Sequence, residues 1–181
     1  MEDRRAAKSK MAIKKVFLEL LKKKPLNKIT VAELSREADL GRGTFYLHYN
    51  DIYDLYDYIE SELYGGLIEI FEEQPYPVTN ADDLVKLAEI ITKYTADNKE
   101  VFLLVTGSGS YGKLVRKLKK VLREKMFQKG YAGKISKYDE MEYLFIMYGL
   151  IGILEDWLNT GLAMPRKELV KILHKILMMF Y

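Results

Sequence analysis

Cysteine is absent from this 181-residue chain, which excludes a disulfide framework and any zinc site built on thiolates. Histidine is nearly absent. His48 and His174 are the only two, and neither has a carboxylate or nucleophile at a spacing that would make a catalytic pair, so no enzyme activity, metal or cofactor is expected. Long apolar runs are missing as well. The longest, from Tyr143 to Leu154, has 12 residues between Glu142 and Glu155, against the roughly 20 that a membrane-spanning helix requires. The amino end starts with acidic residues and lacks an uninterrupted apolar stretch, so it does not read as a secretory signal. A cytoplasmic protein with no membrane partner is the expectation. The most glycine-rich stretch, TGSGSYG at 106–112, lacks the Gly-Lys-Ser/Thr ending of a phosphate loop and reads as a helix connection.

Charge is plentiful and unevenly placed. The net charge is +3, yet residues 1–50 hold 12 Lys+Arg against 6 Asp+Glu, residues 51–100 hold 3 against 13, and residues 101–181 hold 14 against 7. A basic first third followed by an acidic stretch suits a protein whose one end meets phosphates while the adjoining body does not. Lys22, Lys23, Lys24 and Lys28, with Arg4, Arg5, Lys8 and Lys10 on an expected mobile arm, would supply non-specific attraction. Each of these cations taken alone is equally a solvated surface residue.

The stretch ITVAELSREADLGRGTFYLHYNDIYDLYDYI, Ile29 to Ile59, packs two short helical patterns ahead of a long one. Thr30 is placed to cap the first, Glu33 sits three residues on as the reciprocal half of a capping box, and Ile29 and Leu34 occupy the staple positions. Asp39-Leu40-Gly41 ends that helix, since Asp tolerates a left-handed turn and Gly breaks helices. A second helix is expected over Arg42 to Tyr49, with Phe45 and Tyr49 facing inward and Arg42, Thr44, Leu47 and His48 on or near the outer surface. Asp51 then caps a third helix running to about Glu73. Two short helices joined by a tight turn, the second short and carrying exposed polar side chains, form the pattern of a helix-turn-helix reader. An ordinary helical hairpin within a bundle has the same spacing.

Thr30 to Leu55 resembles the DNA-binding signature of the tetracycline-repressor (TetR) family, with matches at Thr30, Val31, Leu34, Ala38, Gly43, Thr44, Phe45, Tyr46, His48, Tyr49 and Leu55. The resemblance implies an all-α homodimer in which residues 1–50 form a three-helix DNA-binding domain on double-stranded DNA. Residues 51–181 would form an effector-binding and dimerisation bundle, about nine helices in all. It further implies that Thr30, Thr44, Tyr46 and His48 hold phosphates, and that Arg42, Gly43 and Leu47 approach base edges, with Lys28 adding charge beside them. Four positions depart from the family pattern. Asp39 stands for a turn Gly, Gly41 for a capping Ser, Ile52 for a Lys that meets phosphate, and Leu47 where polar or large aromatic residues are frequent.

The rest of the chain reads as helices. QPYPVTN at 74–80 breaks the long helix with two prolines, Leu84, Leu87, Ala88, Ile91 and Tyr94 stripe the next, and Gly130 ends a basic helix from about Lys113 to Lys129. That basic helix suits a solvated face, with a second nucleic-acid patch or an acidic partner as alternatives. Glu140 to Thr160 is apolar on nearly all sides, so it must be covered on several faces. Gly149 and Gly152, with Ile153 and Asp156, would admit another helix closely, either from a second subunit or from the same chain. The last helix, expected to open with Pro165 at its first position, presents Leu169, Ile172, Leu173, Ile176 and Met179 as one stripe. Resemblance to the TetR family implies that these last two helices make the dimer interface.

Two functions follow as expectations. One is a homodimeric repressor released by an unidentified apolar or aromatic small-molecule effector bound near Tyr94, Phe102, Tyr143, Met147, Tyr148 and Trp157. The other is a TetR-like adaptor or coactivator signalled by a partner protein, which needs no cavity.

Overall fold

Helix boundaries follow from local chemistry along the chain. A computed structural model describes residues 4–73, 81–106, 111–128 and 136–179; the proline break at 74–80, the glycine cluster at 107–110 and the stop at Gly130 lie outside them. Among the described residues every regular element is helical, in nine α-helices: α1 (Arg4–Lys23), α2 (Val31–Glu37), α3 (Arg42–Tyr46), α4 (Ile52–Glu73), α5 (Ala81–Asp97), α6 (Lys99–Thr106), α7 (Tyr111–Gln128), α8 (Lys137–Asn159) and α9 (Arg166–Leu177). The all-α architecture with an amino-terminal helix-turn-helix is as expected. One 3-10 turn, Leu26–Lys28, follows Pro25.

The chain divides into two compact units, Met1–Leu63 and Tyr64–Tyr181. In the first, α1, α2 and α3 pack on one another around the buried side chains of Ile13, Phe17, Leu20, Leu34 and Phe45, with Leu55 and Ile59 of α4 also fully buried. The expected mobile arm is a correction: Arg4 already begins α1, whose 20 residues carry the apolar period of Ile13, Phe17 and Leu20. In the second unit the broadest packing is between α5 and α9, and α7 packs on α8. Leu169, Leu173 and Leu177 of α9 are buried, each contributing on the order of 1.5–3 kcal/mol of apolar burial.

Terminal details explain where the helices begin and stop. Ser136 caps α8, accepting from the Asp139 N–H at 3.2 Å while Asp139 Oδ2 accepts from the Ser136 N–H at 3.2 Å, a capping box that starts the helix at Lys137, three residues before the Glu140 of the sequence pattern. The carboxyl end of α8 closes on Gly161 at φ 68°, with the Leu162 N–H donating to Trp157 O at 2.8 Å and the Gly161 N–H to Leu158 O at 2.8 Å. Pro165 is the N-cap of α9, not its first helical residue. The difference is physical: its ψ of 135° is extended, so the helix starts one residue later.

Candidate nucleic-acid interface

The reader begins at Thr30, whose Oγ1 accepts the Glu33 N–H at 3.2 Å and starts α2. Ile29 and Leu34 are both buried, as the staple requires. The Glu33 carboxylate is drawn chiefly to Lys24, with which it makes a short ion pair. Lys24 beside it holds the Glu33 carboxyl below its ordinary value, with burial opposing and Arg36 and the Thr30 backbone N–H adding smaller pulls. The basic run before α2 is thus partly structural: Lys24 ties the approach to the reader onto its first turn.

The turn between α2 and α3 forms because Asp39 accepts a left-handed backbone, φ 53°. The Leu40 N–H then reaches Ser35 O at 2.9 Å and the Asp39 N–H reaches Arg36 O at 3.2 Å, which satisfies the carbonyls at the end of α2. Gly41 caps α3 with no side-chain hydrogen bond. The missing hydroxyl shows as a missing cap.

Expected to run to Tyr49, α3 instead ends at Tyr46. Beyond it the Leu47 N–H still reaches Gly43 O at 3.1 Å and the Tyr49 N–H reaches Phe45 O at 3.0 Å, so the last turn is loosened rather than unwound. Phe45 and Tyr49 are buried, with ring centroids 5.7 Å apart. Anchored by that pair, the opposite face projects Arg42, Gly43, Tyr46 and Leu47 into solvent, Leu47 at 81% and Tyr46 at 58% exposure. Lys28 and Thr30 are exposed, while Thr44 and His48 are half-buried. His48 is not free: its Nε2 lies 2.7 Å from Oγ of Ser9, a buried residue of α1. Separated by 39 positions, that pair carries no sequence signal.

At the α3–α4 junction the Asp54 N–H donates to Asp51 Oδ1 at 2.8 Å, as the expected cap requires. Asp54 Oδ2 in turn accepts the Asn50 N–H at 2.8 Å and the Asn50 side-chain amide at 2.9 Å. Ile52, at the position where the resemblance puts a phosphate-binding Lys, is only 6% exposed. Its neighbour Tyr53 faces outward.

Residues 82–179 match the model of a TetR-type family described as a transcriptional regulator C-terminal region. The chain belongs to the TetR family of transcriptional regulators. That is a family of regulators, not of enzymes. Two solved structures share the fold across nearly the whole chain. The fatty acid degradation regulator FadR from Bacillus halodurans is 17% identical over 98% of this chain and 96% of its own, with a TM-score of 0.61. The dihydroxyacetone kinase operon activator DhaS is 14% identical over 94% of each chain, with a TM-score of 0.63. No curated protein sequence matches significantly.

Within this TetR-family chain the six aromatic and Met positions expected around an effector fall into separate contacts. Tyr94 and Phe102 meet edge to face at 6.3 Å. Tyr148 lies under Lys119 Nζ at 4.9 Å, and Trp157 Nε1 donates to Met164 O at 2.8 Å, which pins the α8–α9 connection. Met147 is buried and Tyr143 half-buried. None of the six lines the apolar cavity that Phe71, Ala88, Ile91, Thr92, Leu154 and Leu169 help enclose, which has about 10 Å³ of free space. That is room for about one water.

The expected interface residues divide into two sets. Leu169 and Leu173 are buried within the chain, whereas Ile172 and Ile176 are exposed, so the single stripe expected of α9 is two faces. Gly149, Gly152 and Asp156 are exposed and Ile153 is half-buried. A Cβ at either glycine would meet nothing within 4 Å, so neither is packed against a neighbour among the described residues of the chain. Beside them an apolar groove of about 70 Å³ opens among Phe145, Gly149, Ile153, Leu173, Ile176 and Leu177. Among the described residues no helix is long and apolar enough to cross a membrane.

Proposed function

We propose that this chain is a homodimeric, sequence-specific DNA-binding regulator of the cytoplasm, with residues 1–50 reading DNA and the remainder receiving a signal. The observation that carries it is the short α3, anchored by buried Phe45 and Tyr49 and presenting Arg42, Gly43, Tyr46 and Leu47 outward. Arg42 and Leu47 meet base edges, Leu47 through a thymine methyl, with the Gly43 backbone close by. Tyr46, Thr44, Thr30 and His48 hold phosphates, and Lys28 supplies charge. Two readers about 34–36 Å apart reach successive turns of one DNA face, which is why a dimer is part of the proposal. Its seam is the exposed face of α8 and α9, where Gly149, Gly152, Ile153, Asp156, Ile172 and Ile176 lie beside solvent-facing Phe145. Leu169 and Leu173 support that seam from beneath.

The signal in the leading form of the proposal is a small-molecule effector that releases a repressor by changing the separation of the two readers. A second form is a coactivator or adaptor signalled by a partner protein, which needs no cavity; among the described residues the space that Phe71, Ala88, Ile91, Thr92, Leu154 and Leu169 help enclose is about 10 Å³, against the roughly 300–1,000 Å³ of small-molecule sites.

Selection of bound fragments from a random DNA pool, repeated with two variants, tests the DNA reading. Arg42→Ala should weaken the preferred site by about 1–3 kcal/mol and relax its sequence. Tyr46→Phe should weaken preferred and random DNA by similar factors and leave the selected sequence unchanged. Equal losses on all sequences for Arg42→Ala would remove it from the base-reading set.

A further inference from the structure

We propose that His48 meets a DNA phosphate as an imidazolium, through Nδ1, so that DNA binding by this chain takes up a proton at each His48. The inference rests on the DNA-binding reading and adds to it the atom, the charge state and the residue that enforces both. Ser9 has one hydroxyl hydrogen, and two helix carbonyls lie within its reach, Ala6 O at 3.0 Å and Arg5 O at 3.1 Å. With that hydrogen turned back onto α1, a common arrangement for serine within a helix, Ser9 Oγ is left as an acceptor. We assign the donor role to the ring nitrogen 2.7 Å away, His48 Nε2. The neutral ring is therefore the Nε2–H tautomer, and its Nδ1 carries a lone pair.

A lone pair cannot bind a phosphate oxygen. Protonation of Nδ1 turns the same atom into a charged donor while the Nε2–H to Ser9 bond persists, because the imidazolium donates from both nitrogens. Turning the ring over to offer Nε2 instead would break the bond to a serine that is 92% buried. On α1, Lys8 and Lys10 flank Ser9 in sequence and Arg5 lies four residues before it, all with positive charge. On the reader side the nearest ring is Tyr49, 6.1 Å away. The carboxylates at the start of α4 are engaged locally, Asp51 with the Asp54 N–H and Asp54 with Asn50. Among the described residues no carboxylate pairs with the His48 ring. DNA supplies an anion that the described residues do not.

The consequence is a linkage. Where binding takes up a proton, affinity falls about tenfold per pH unit for each proton, so a dimer with two such histidines loses up to about a hundredfold per unit. The test is titration calorimetry of the full chain with a random-sequence duplex of about two helical turns, at low salt, in buffers of different ionisation enthalpy, from about pH 6 to about pH 8. Proton uptake that disappears in His48→Gln supports the assignment, as does Ser9→Ala binding with no pH dependence, since freeing Nε2 lets the neutral ring donate. Binding by the unaltered protein with no proton uptake across the range overturns it, whatever the variants do. Uptake that persists in Ser9→Ala removes Ser9 from the mechanism. No binding of the duplex or of any selected DNA at any pH would sink the DNA reading itself and this inference with it.

Discussion

Ile52 is where the family pattern and the packing of this chain part. The position carries a phosphate-binding Lys in the pattern, yet here the side chain is buried at the first turn of α4. An apolar residue is what that environment holds, so Ile52→Lys is not a simple gain of a DNA contact. It should destabilise the first unit by about 1–3 kcal/mol in denaturant unfolding, because an ammonium must leave an apolar site or lose its hydration. If stability held and the salt dependence of DNA binding steepened, the lysine would be reaching solvent along its stem and the position would behave as the family pattern has it. Glu33 shows the same coupling of reader to scaffold in electrostatic form. Lys24 holds its carboxyl below the ordinary value, so the folded state binds fewer protons there than the unfolded chain does. The stability from the pair is present above the unfolded carboxyl's titration and is lost as pH falls through the lower folded value. In acid unfolding, Glu33→Gln should therefore flatten the loss of stability in that window, and the effect should shrink at high salt. An unchanged acid limb would mean that Lys24 and Glu33 are apart in solution.

At the scale of elements, α4 places two glycines, Gly65 and Gly66, in the middle of a 22-residue helix, although glycine is about 1 kcal/mol worse than alanine in such a position. The two have different reasons for being there. A Cβ on Gly65 meets nothing within 4 Å, but one on Gly66 would lie 2.2 Å from the Tyr94 hydroxyl oxygen and 2.5 Å from its Cζ. Tyr94 of α5 thus lies against the backbone of α4, and only glycine leaves room for it. Gly65→Ala should stabilise by up to about 1 kcal/mol, whereas Gly66→Ala should cost on the order of 1–3 kcal/mol through overpacking. Thermal unfolding of the two single variants decides, and equal effects would show that the Tyr94 ring swings aside freely. This contact also marks the limit of what a pattern of residues reveals. Helix existence was legible nearly everywhere because caps and apolar periods are local: Thr30, Asp51 and the stripe of α5 announce their elements. The end of α3 at Tyr46 was not, since Tyr46 to Tyr49 contain no proline or glycine to stop a helix there. Nor was the split of α9 into Leu169, Leu173 and Leu177 inward and Ile172 and Ile176 outward, because a stripe of five apolar residues does not say which part of it the same chain covers. The Ser9–His48 bond and the Gly66–Tyr94 contact join distant segments, and no spacing within either segment encodes them.

On the scale of the whole molecule, the unanswered surface is the outward face of α8 and α9. Phe145 is 68% exposed there, and Gly149 and Gly152 offer helix backbone with open space above each Cα. A surface of that composition seeks another apolar surface, and in a two-fold dimer the same patch serves both partners. The glycines make the proposal testable in an unusual way. Because a Cβ at Gly152 meets nothing within 4 Å among the described residues of its own chain, Gly152→Leu should leave the fold of one subunit intact and even gain helix propensity. In a dimer whose helices cross at this point, the same leucine enters the seam and should overpack it by about 1–3 kcal/mol, weakening association by roughly five- to a hundredfold. Sedimentation equilibrium on the full chain separates the two effects, with circular dichroism as the check on folding. The expected result is native helix content, a larger monomer fraction and a parallel loss of affinity for DNA with two half-sites, since two tethered readers gain from acting together. Unchanged association at every concentration would place the seam away from Gly152 and leave the groove beside Phe145 to some other occupant.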